Sequence, residues 1–316
     1  MTGDATVPLP DGFSVGHWTD AEAETGCTVI IPPERTTAGV DVRGGGPGTR
    51  ETEILSPTTN AEEATAVLLT GGSAFGLAAA DGVVRWLEEA DRGYQTRGGK
   101  VPLVPAAVIY DLTTGRSDVR PGPEQGYAAS ASAASGIPER GRIGAGTGAA
   151  VAKLHGRHAS TRGGVGYAAL RLSTGETVAA IAVANSVGDV LAEDGSVLAG
   201  PRDRSGAMVR SAEQLVQVDS LSGWAGSSAP EGNTTLACVC TDAALTKSGC
   251  GAVARMASAG VARAVDPVYS PVDGDVVFSL ASGRGEMREW AVMVVGSAAA
   301  TVVAAAIRDA VRESSA

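Results

Sequence analysis

Aromatic side chains are scarce: Phe, Trp and Tyr make up 4% of the 316 residues. A core with so few rings is filled by aliphatic and small side chains, so its layers must approach closely. Histidine is scarcer still, at three residues (His17, His155 and His158), and there are only four cysteines (Cys27, Cys238, Cys240 and Cys250). Those cysteines are too few for a disulfide scaffold and lack the paired spacing of a zinc site, so free thiols in a reduced, cytoplasmic setting are expected. Positive charge is in deficit as well, with 25 Lys and Arg against 35 Asp and Glu and a net charge of −10. Without a basic footprint, nucleic acids and anionic membranes are excluded as expected partners. Long hydrophobic runs are missing too. The nearest, 291–307, is interrupted by Ser297 and Thr301 and falls short of the roughly 20 residues that span a bilayer, so it reads as a buried helix. The first residues, MTGDATVPLPDGF, have neither the basic nor the apolar region of a secretory signal.

Glycine, by contrast, is abundant, at 43 residues. It shows no three-residue period, which excludes collagen, and 44% hydrophobic content excludes a disordered chain. Strand-like runs fall at 27–31, 66–70, 101–110, 166–172, 177–184, 234–241 and 276–281, most of them Val- and Ile-rich and bounded by Gly, Pro or Asp. Helical spacing marks 76–90, 244–265 and 288–311. Strands and helices mix without strict alternation, which predicts an α+β protein of layered sheets covered by helices rather than a doubly wound sheet. The stretch 219–233, DSLSGWAGSSAPEGN, predicts an exposed linker that runs straight into the strand TTLACVCT.

Several glycine-rich motifs fail on inspection. GAGTG at 144–148 has its third Gly one position too early for a dinucleotide loop, and GGGPG at 44–48 lacks the Lys and Ser or Thr that end a phosphate loop. Both read as turns. Ser73 sits between a strand and a helix, but Phe75 stands where a nucleophile elbow needs Gly, so Ser73 reads as a helix N-cap. His155 and His158 have no Cys, Asp or Glu close by in sequence to complete a metal site, so no metal or cofactor is expected. A hydrolase with this sequence does not work through histidine.

Thr234 offers a different chemistry. A Thr at the start of a strand, after Gly232, Asn233 and a linker, can attack its own preceding carbonyl and move the Asn233 acyl group from nitrogen to oxygen. Water then cuts the ester. The freed α-amine, with a reference pKa of about 7.7–8.0, becomes a base beside its own hydroxyl. The same residues also make an ordinary turn before a strand. Downstream, Asp273 and Asp275 flank Gly274 at the entry to the strand VVFSLA. Carboxylates two apart share a side, so one could orient the Thr234 hydroxyl while the other holds a positive charge; a solvated turn is the alternative.

Seven blocks, VDVRGGGPGTRETEIL, LLTGGSAFGLAAADGVVRWLEE, VPLVPAAVIYDL, GRIGAGTGAAVAKL, VANSVGDVL, GNTTL and PVDGDVVFSLASG, together resemble the P1 or S58 peptidase family in order along nearly the whole chain. That family holds self-processing L-aminopeptidases with D-amino-acid esterase and amidase activity, β-peptidyl aminopeptidases, and the nylon-oligomer hydrolase that cuts 6-aminohexanoate oligomers. The resemblance implies an N-terminal-nucleophile hydrolase with a four-layer αββα sandwich, residues 1–316, in which 1–233 and 234–316 stay together after self-cleavage between Asn233 and Thr234. It implies Thr234 as nucleophile, with the Asn-Thr junction pointing to the nylon-oligomer branch. Asp273 and Asp275 become the acidic pair, Tyr110 and Asn185 the oxyanion donors, and Lys153 a fixed positive charge near the nucleophile. A small amide or oligoamide substrate and a homo-oligomer, up to a dimer of dimers, are implied as partners. An aminopeptidase within the family, an autocleaving ornithine-acetyltransferase-like enzyme, and an uncleaved binding protein stand as alternatives. Cys238 and Cys240 share the face of Thr234 and read as buried small hydrophobes.

Overall fold

The computed structural model describes residues 3–203, 205–217 and 232–315. Two five-stranded sheets dominate. The inner strand of one is Thr234–Thr241, flanked on one side by Thr177–Asn185 and then Val165–Arg171, and on the other by Val276–Ala281 and then Thr37–Val42. The second sheet runs Ser14–Asp20, Thr25–Ile31, Val67–Thr70, Ala106–Val108 and Thr49–Arg50. Helices α1 (Ala79–Glu89) and α2 (Pro123–Ala131) cover its outer face; α3 (Ser211–Leu215) is short. Helices α4 (Lys247–Ala264) and α5 (Ala291–Ser315) cover the outer face of the first sheet.

Alternation along the strands builds three apolar layers. On the Thr234–Thr241 strand, Leu236, Cys238 and Cys240 face the second sheet, in an apolar layer shared with Phe278 and Ile181 of their own sheet and with Ile30 and Ile109 across from it. Ala237 and Val239 face the other way, against Val253 and Ala257 of α4 and Val303 and Ile307 of α5. A third cluster joins Val29, Leu68 and Ala106 to Ala80, Val83 and Leu87 of α1. The order is therefore helix, sheet, sheet, helix, the αββα arrangement that the resemblance implied. Cys238 and Cys240 are buried in the layer between the sheets, and burial pushes the Cys238 thiol well above its ordinary pKa, so they pack as small hydrophobes.

Glycine sets the layer spacing. A methyl on Gly166 would overlap the backbone of Ala306 and Ala310 in α5, and one on Gly82 of α1 would overlap Pro123 of α2. We expect Gly166→Ala to destabilise the protein by about 1–3 kcal/mol, the usual cost of overpacking, seen as a lower urea midpoint; an unchanged midpoint would contradict this packing.

The structure corrects some of the sequence-based boundaries. The strand expected over 101–110 is broken by Pro102 and Pro105, leaving Ala106–Val108 in the main sheet. Ser73 is not an N-cap: it is the first residue of a 3-10 turn, with φ of +53°, and the N-cap positions of that turn and of α1 are Gly72 and Ala78. Thr246 does cap α4, accepting from Gly249 N. Helix α5 runs 25 residues, longer than its apolar stretch, and is long and apolar enough in composition to cross a membrane; Val302, Val303, Ala306 and Ile307 are buried against the first sheet. Most of the linker expected over 219–233 lies outside the described residues.

Candidate active site

The site forms where three strands of the first sheet end together. Antiparallel register puts Asn185, the last residue of its strand, directly opposite Thr234, the first of its own. Both face the layer between the sheets, by the same alternation that buries Val183 and Leu236. The parallel neighbour begins just beyond the Asp273–Asp275 turn, and Asn233 bridges Asp273 at the mouth of the pair. Asn233, Thr234, Lys153, Asn185, Asp273 and Asp275 are all buried, none more than 5% exposed.

The peptide link between Asn233 and Thr234 is held by hydrogen bonds to its carbonyl oxygen. Asn233 O accepts the Thr234 hydroxyl at 2.5 Å and the Gly274 amide at 2.8 Å. Thr234 Oγ1 thus sits on the carbonyl group that precedes it in the chain. Lys153 Nζ donates to Asn185 O at 2.9 Å, Asn185 Oδ1 at 3.0 Å and Gly232 O at 3.3 Å, which links the strand end to the chain just upstream of the Asn233–Thr234 bond. Ala150 N also donates to Asn185 Oδ1, at 3.1 Å. Two donors on Oδ1 fix the orientation of the amide, since only oxygen can accept them. Asn185 Nδ2 is then a buried donor with no partner among the described residues. Such an orphan costs about 1–3 kcal/mol unless something fills it.

The Tyr110 ring lies on Gly232, where an added methyl would come within 2.5 Å of Tyr110 Cβ. The next residue, Asp111, is buried and accepts from Thr25 Oγ1 and Gly72 N, each at 2.7 Å, tying the Tyr110 segment to the loop before α1.

The acidic pair departs from one expectation. Neither carboxylate accepts from the Thr234 hydroxyl. Asp275 Oδ1 takes Thr235 N at 2.5 Å and Oδ2 takes Tyr269 N at 3.3 Å; Asp273 takes Val187 N at 3.4 Å and both Ser270 N and Ser270 Oγ, at 3.1 and 2.5 Å. The Thr234 hydroxyl donates instead to the carbonyl oxygen of Asn233. Burial raises the Asp273 carboxyl, partly offset by Ser270 and by the charge of Lys153. Burial, reinforced by repulsion from Asp273, pushes Asp275 up to about 7.

That shift has a sign in stability. A carboxyl whose pKa rises from about 3.9 in the unfolded chain holds its proton more tightly when folded. Its contribution is fully present below about pH 4 and is lost as pH rises through about 7. We expect Asp275→Asn, which keeps an acceptor for Thr235 N, to gain stability relative to the parent between pH 4 and pH 7; a constant difference in melting temperature would refute the shift.

His17 stays apart from these contacts. His17 pairs with Thr28 at 2.9 Å, and burial pushes it down to about 4. Among the described residues no cluster of three His, Cys, Asp or Glu could hold a metal ion. Sequence reasoning missed Gly274, whose part is played by a backbone N–H, and the GGGPG run, which packs on the acidic turn.

Comparison with solved structures defines the fold. The fold matches a Burkholderia sp. beta-aminopeptidase with a TM-score of 0.71 at 22% identity, over 98% of this chain and 87% of that one. It also matches the L-aminopeptidase D-Ala-esterase/amidase of Ochrobactrum anthropi, described as a variant of the Ntn hydrolase fold, with a TM-score of 0.72 at 20% identity, over 98% and 86% of the two chains. The chain has that Ntn hydrolase fold. It belongs to peptidase family S58, whose sequence profile matches residues 11–316, and is a hydrolase acting on peptides or amides. An uncharacterized aminopeptidase of Mycobacterium tuberculosis (strain ATCC 25618 / H37Rv) is 41% identical over 283 residues, 86% of this chain and 80% of that protein. The 6-aminohexanoate-oligomer endohydrolase of Kocuria sp. (strain KY2) is 30% identical over 278 residues, 85% of this chain and 72% of that protein.

Proposed function

We propose that this chain cuts itself between Asn233 and Thr234 and then hydrolyses small peptides and amides through an acyl-Thr234 intermediate. The observation that carries the reading is the Thr234 hydroxyl seated on Asn233 O at 2.5 Å, opposite the unpartnered Asn185 Nδ2. Self-cleavage adds Thr234 Oγ to the Asn233 carbonyl carbon as the hydroxyl proton passes to the leaving nitrogen. The C–N bond breaks, leaving an ester, and water splits it into an Asn233 carboxylate and a free Thr234 with amine and hydroxyl.

Substrate turnover then repeats the chemistry. The Thr234 amine takes the hydroxyl proton, Oγ attacks the substrate carbonyl, and the amine returns the proton to the leaving nitrogen. Asn185 Nδ2 and the Tyr110 hydroxyl donate to the oxyanion. Lys153, by its positive charge, favours the neutral amine. Asp275 fixes the backbone of Thr235 and so the placement of the nucleophile.

Burial supports the order of events: Thr234 is only 5% exposed, so the cut would come before substrate reaches its hydroxyl. The relative at 41% is named an aminopeptidase and the one at 30% an oligomer endohydrolase, so peptides and small amides come first and 6-aminohexanoate oligomers second. Mass spectrometry of the purified protein tests the reading, with fragments of 233 and 83 residues of the 316 expected. Hydrolysis of amino-acid p-nitroanilides and aminohexanoate oligomers should appear with the fragments. A chain that stays whole while turning over amides at full rate would refute the mechanism.

A further inference from the structure

The GGGPG run is unexplained by the reaction just described, yet it touches the machinery of the cut. Its backbone grips the acidic turn from one side: Arg43 N donates to Asp275 O at 2.7 Å, Gly45 N to Ser270 O at 3.2 Å and Gly46 N to Asp273 O at 2.9 Å. Side chains cannot fit in this contact. A methyl on Gly44, where φ is +83°, would overlap Asp273 O, and one on Gly45 would overlap Pro271 O. From the other side, a methyl on Gly274 would come within 2.5 Å of Gly46 O and 3.0 Å of Pro47 Cα. The two segments are in backbone-to-backbone contact, and that contact leaves the Gly274 N–H aimed at Asn233 O, 2.8 Å away.

From this geometry we infer that Gly274 N–H is the oxyanion donor of the self-cleavage step and that the Gly44–Gly45–Gly46 run is the brace that aims it. The inference rests on the self-cleavage reading above. When Thr234 Oγ adds to the Asn233 carbonyl carbon, the C=O electron pair moves onto Asn233 O, and the Gly274 amide already bonded to that oxygen meets the new charge without rearranging. A preformed donor of this kind acts only on charge that develops in the reaction. The Asn185 and Tyr110 donors lie beside Thr234 and Gly232 and serve substrate; the Gly274 donor serves the chain's own carbonyl. The brace is a positioning element, since it reaches the reacting oxygen only through the acidic turn.

The direct test removes one N–H and adds nothing. Semisynthetic protein carrying glycolic acid at position 274 replaces that amide with an ester oxygen of the same size. Loss of one oxyanion donor slows such reactions by about 10²–10³-fold, and that slowing of the 233/83 cut is expected, measured as fragment formation against time in refolded precursor. Two glycine variants test the brace. Gly44→Ala should slow the cut at least tenfold, whereas Gly251→Ala in α4, outside the brace and with nothing within 4 Å of the added methyl, should cut within about threefold of the parent. Circular dichroism and elution volume establish that each variant is folded, and the ester protein carries the test alone if Gly44→Ala does not fold. A folded ester variant that cuts at the parental rate would overturn the donor assignment. Parent protein that never yields the fragments would instead overturn the self-cleavage reading itself, so the two failures are distinct.

Discussion

Thr234→Ala is expected to leave the chain whole at 316 residues and without measurable amide hydrolysis. The hydroxyl donates to Asn233 O, and removing it deletes the group proposed as nucleophile of both the cut and the turnover. Alanine keeps the strand pairing to Asn185, which runs through the backbone, so the folded precursor should form and melt cooperatively. Thr235→Ala is the matched control. Thr235 meets the site through its backbone N–H to Asp275, which alanine retains, so cleavage and turnover should persist. Electrophoresis under denaturing conditions with a p-nitroanilide assay decides it. An uncut Thr234→Ala chain with parental activity, or a cut one, would place the nucleophile elsewhere.

Asn185→Asp is expected to carry the second largest effect, a fall in kcat/KM of about 10²–10³-fold with the fold retained. The substitution changes one atom, turning the unpartnered Nδ2 into a carboxylate oxygen. Lys153 and Ala150 N still find an oxygen to donate to, and the added negative charge gains a partner in Lys153. What is lost is the donor on the residue paired with Thr234, and a negative oxygen there opposes the charge that an amide carbonyl develops on attack. Burst-phase kinetics on the processed enzyme would show a slowed acylation step. If the rate held within a few fold, Tyr110 alone would be the oxyanion donor.

How far the sequence revealed this arrangement depended on where each contribution lies. The strands at 234–241 and 276–281 were read to the residue, because Val, Cys and Leu alternate there between two buried faces. Ser14–Asp20 and Thr37–Val42 were missed. Gly16 and Gly39 interrupt their patterns, and each is glycine because a neighbouring helix backbone lies where a methyl would be: that of α2 and the residues after it at Gly16, and that of α4 at Gly39. Helix α2 was missed for the same reason, its Gly126 lying against Ala79 of α1. Thr234 and the acidic pair were legible as local chemistry. Lys153, Asn185 and Tyr110 were reached only through family resemblance, since the contacts that unite them with Thr234 cross strands far apart in the chain. Gly274 and the Gly44–Gly46 run carried no side-chain signal at all.

The position of Thr234 at the head of the central strand bears on what happens to the molecule after the cut. The smaller product would keep two adjacent strands of the first sheet, Thr234–Thr241 and Val276–Ala281, together with α4 and α5, while Thr177–Asn185 and Thr37–Val42 on either side stay with the larger one. Each product then lacks the strands and helices that bury its apolar faces, and neither holds a complete core. Folding would thus be unimolecular before the cut and bimolecular after it. Recovery of processed protein from denaturant should depend on dilution, whereas the uncut Thr234→Ala chain should refold at a rate independent of its concentration. The protein would assemble once, as a single chain, and thereafter persist through slow unfolding rather than through easy return.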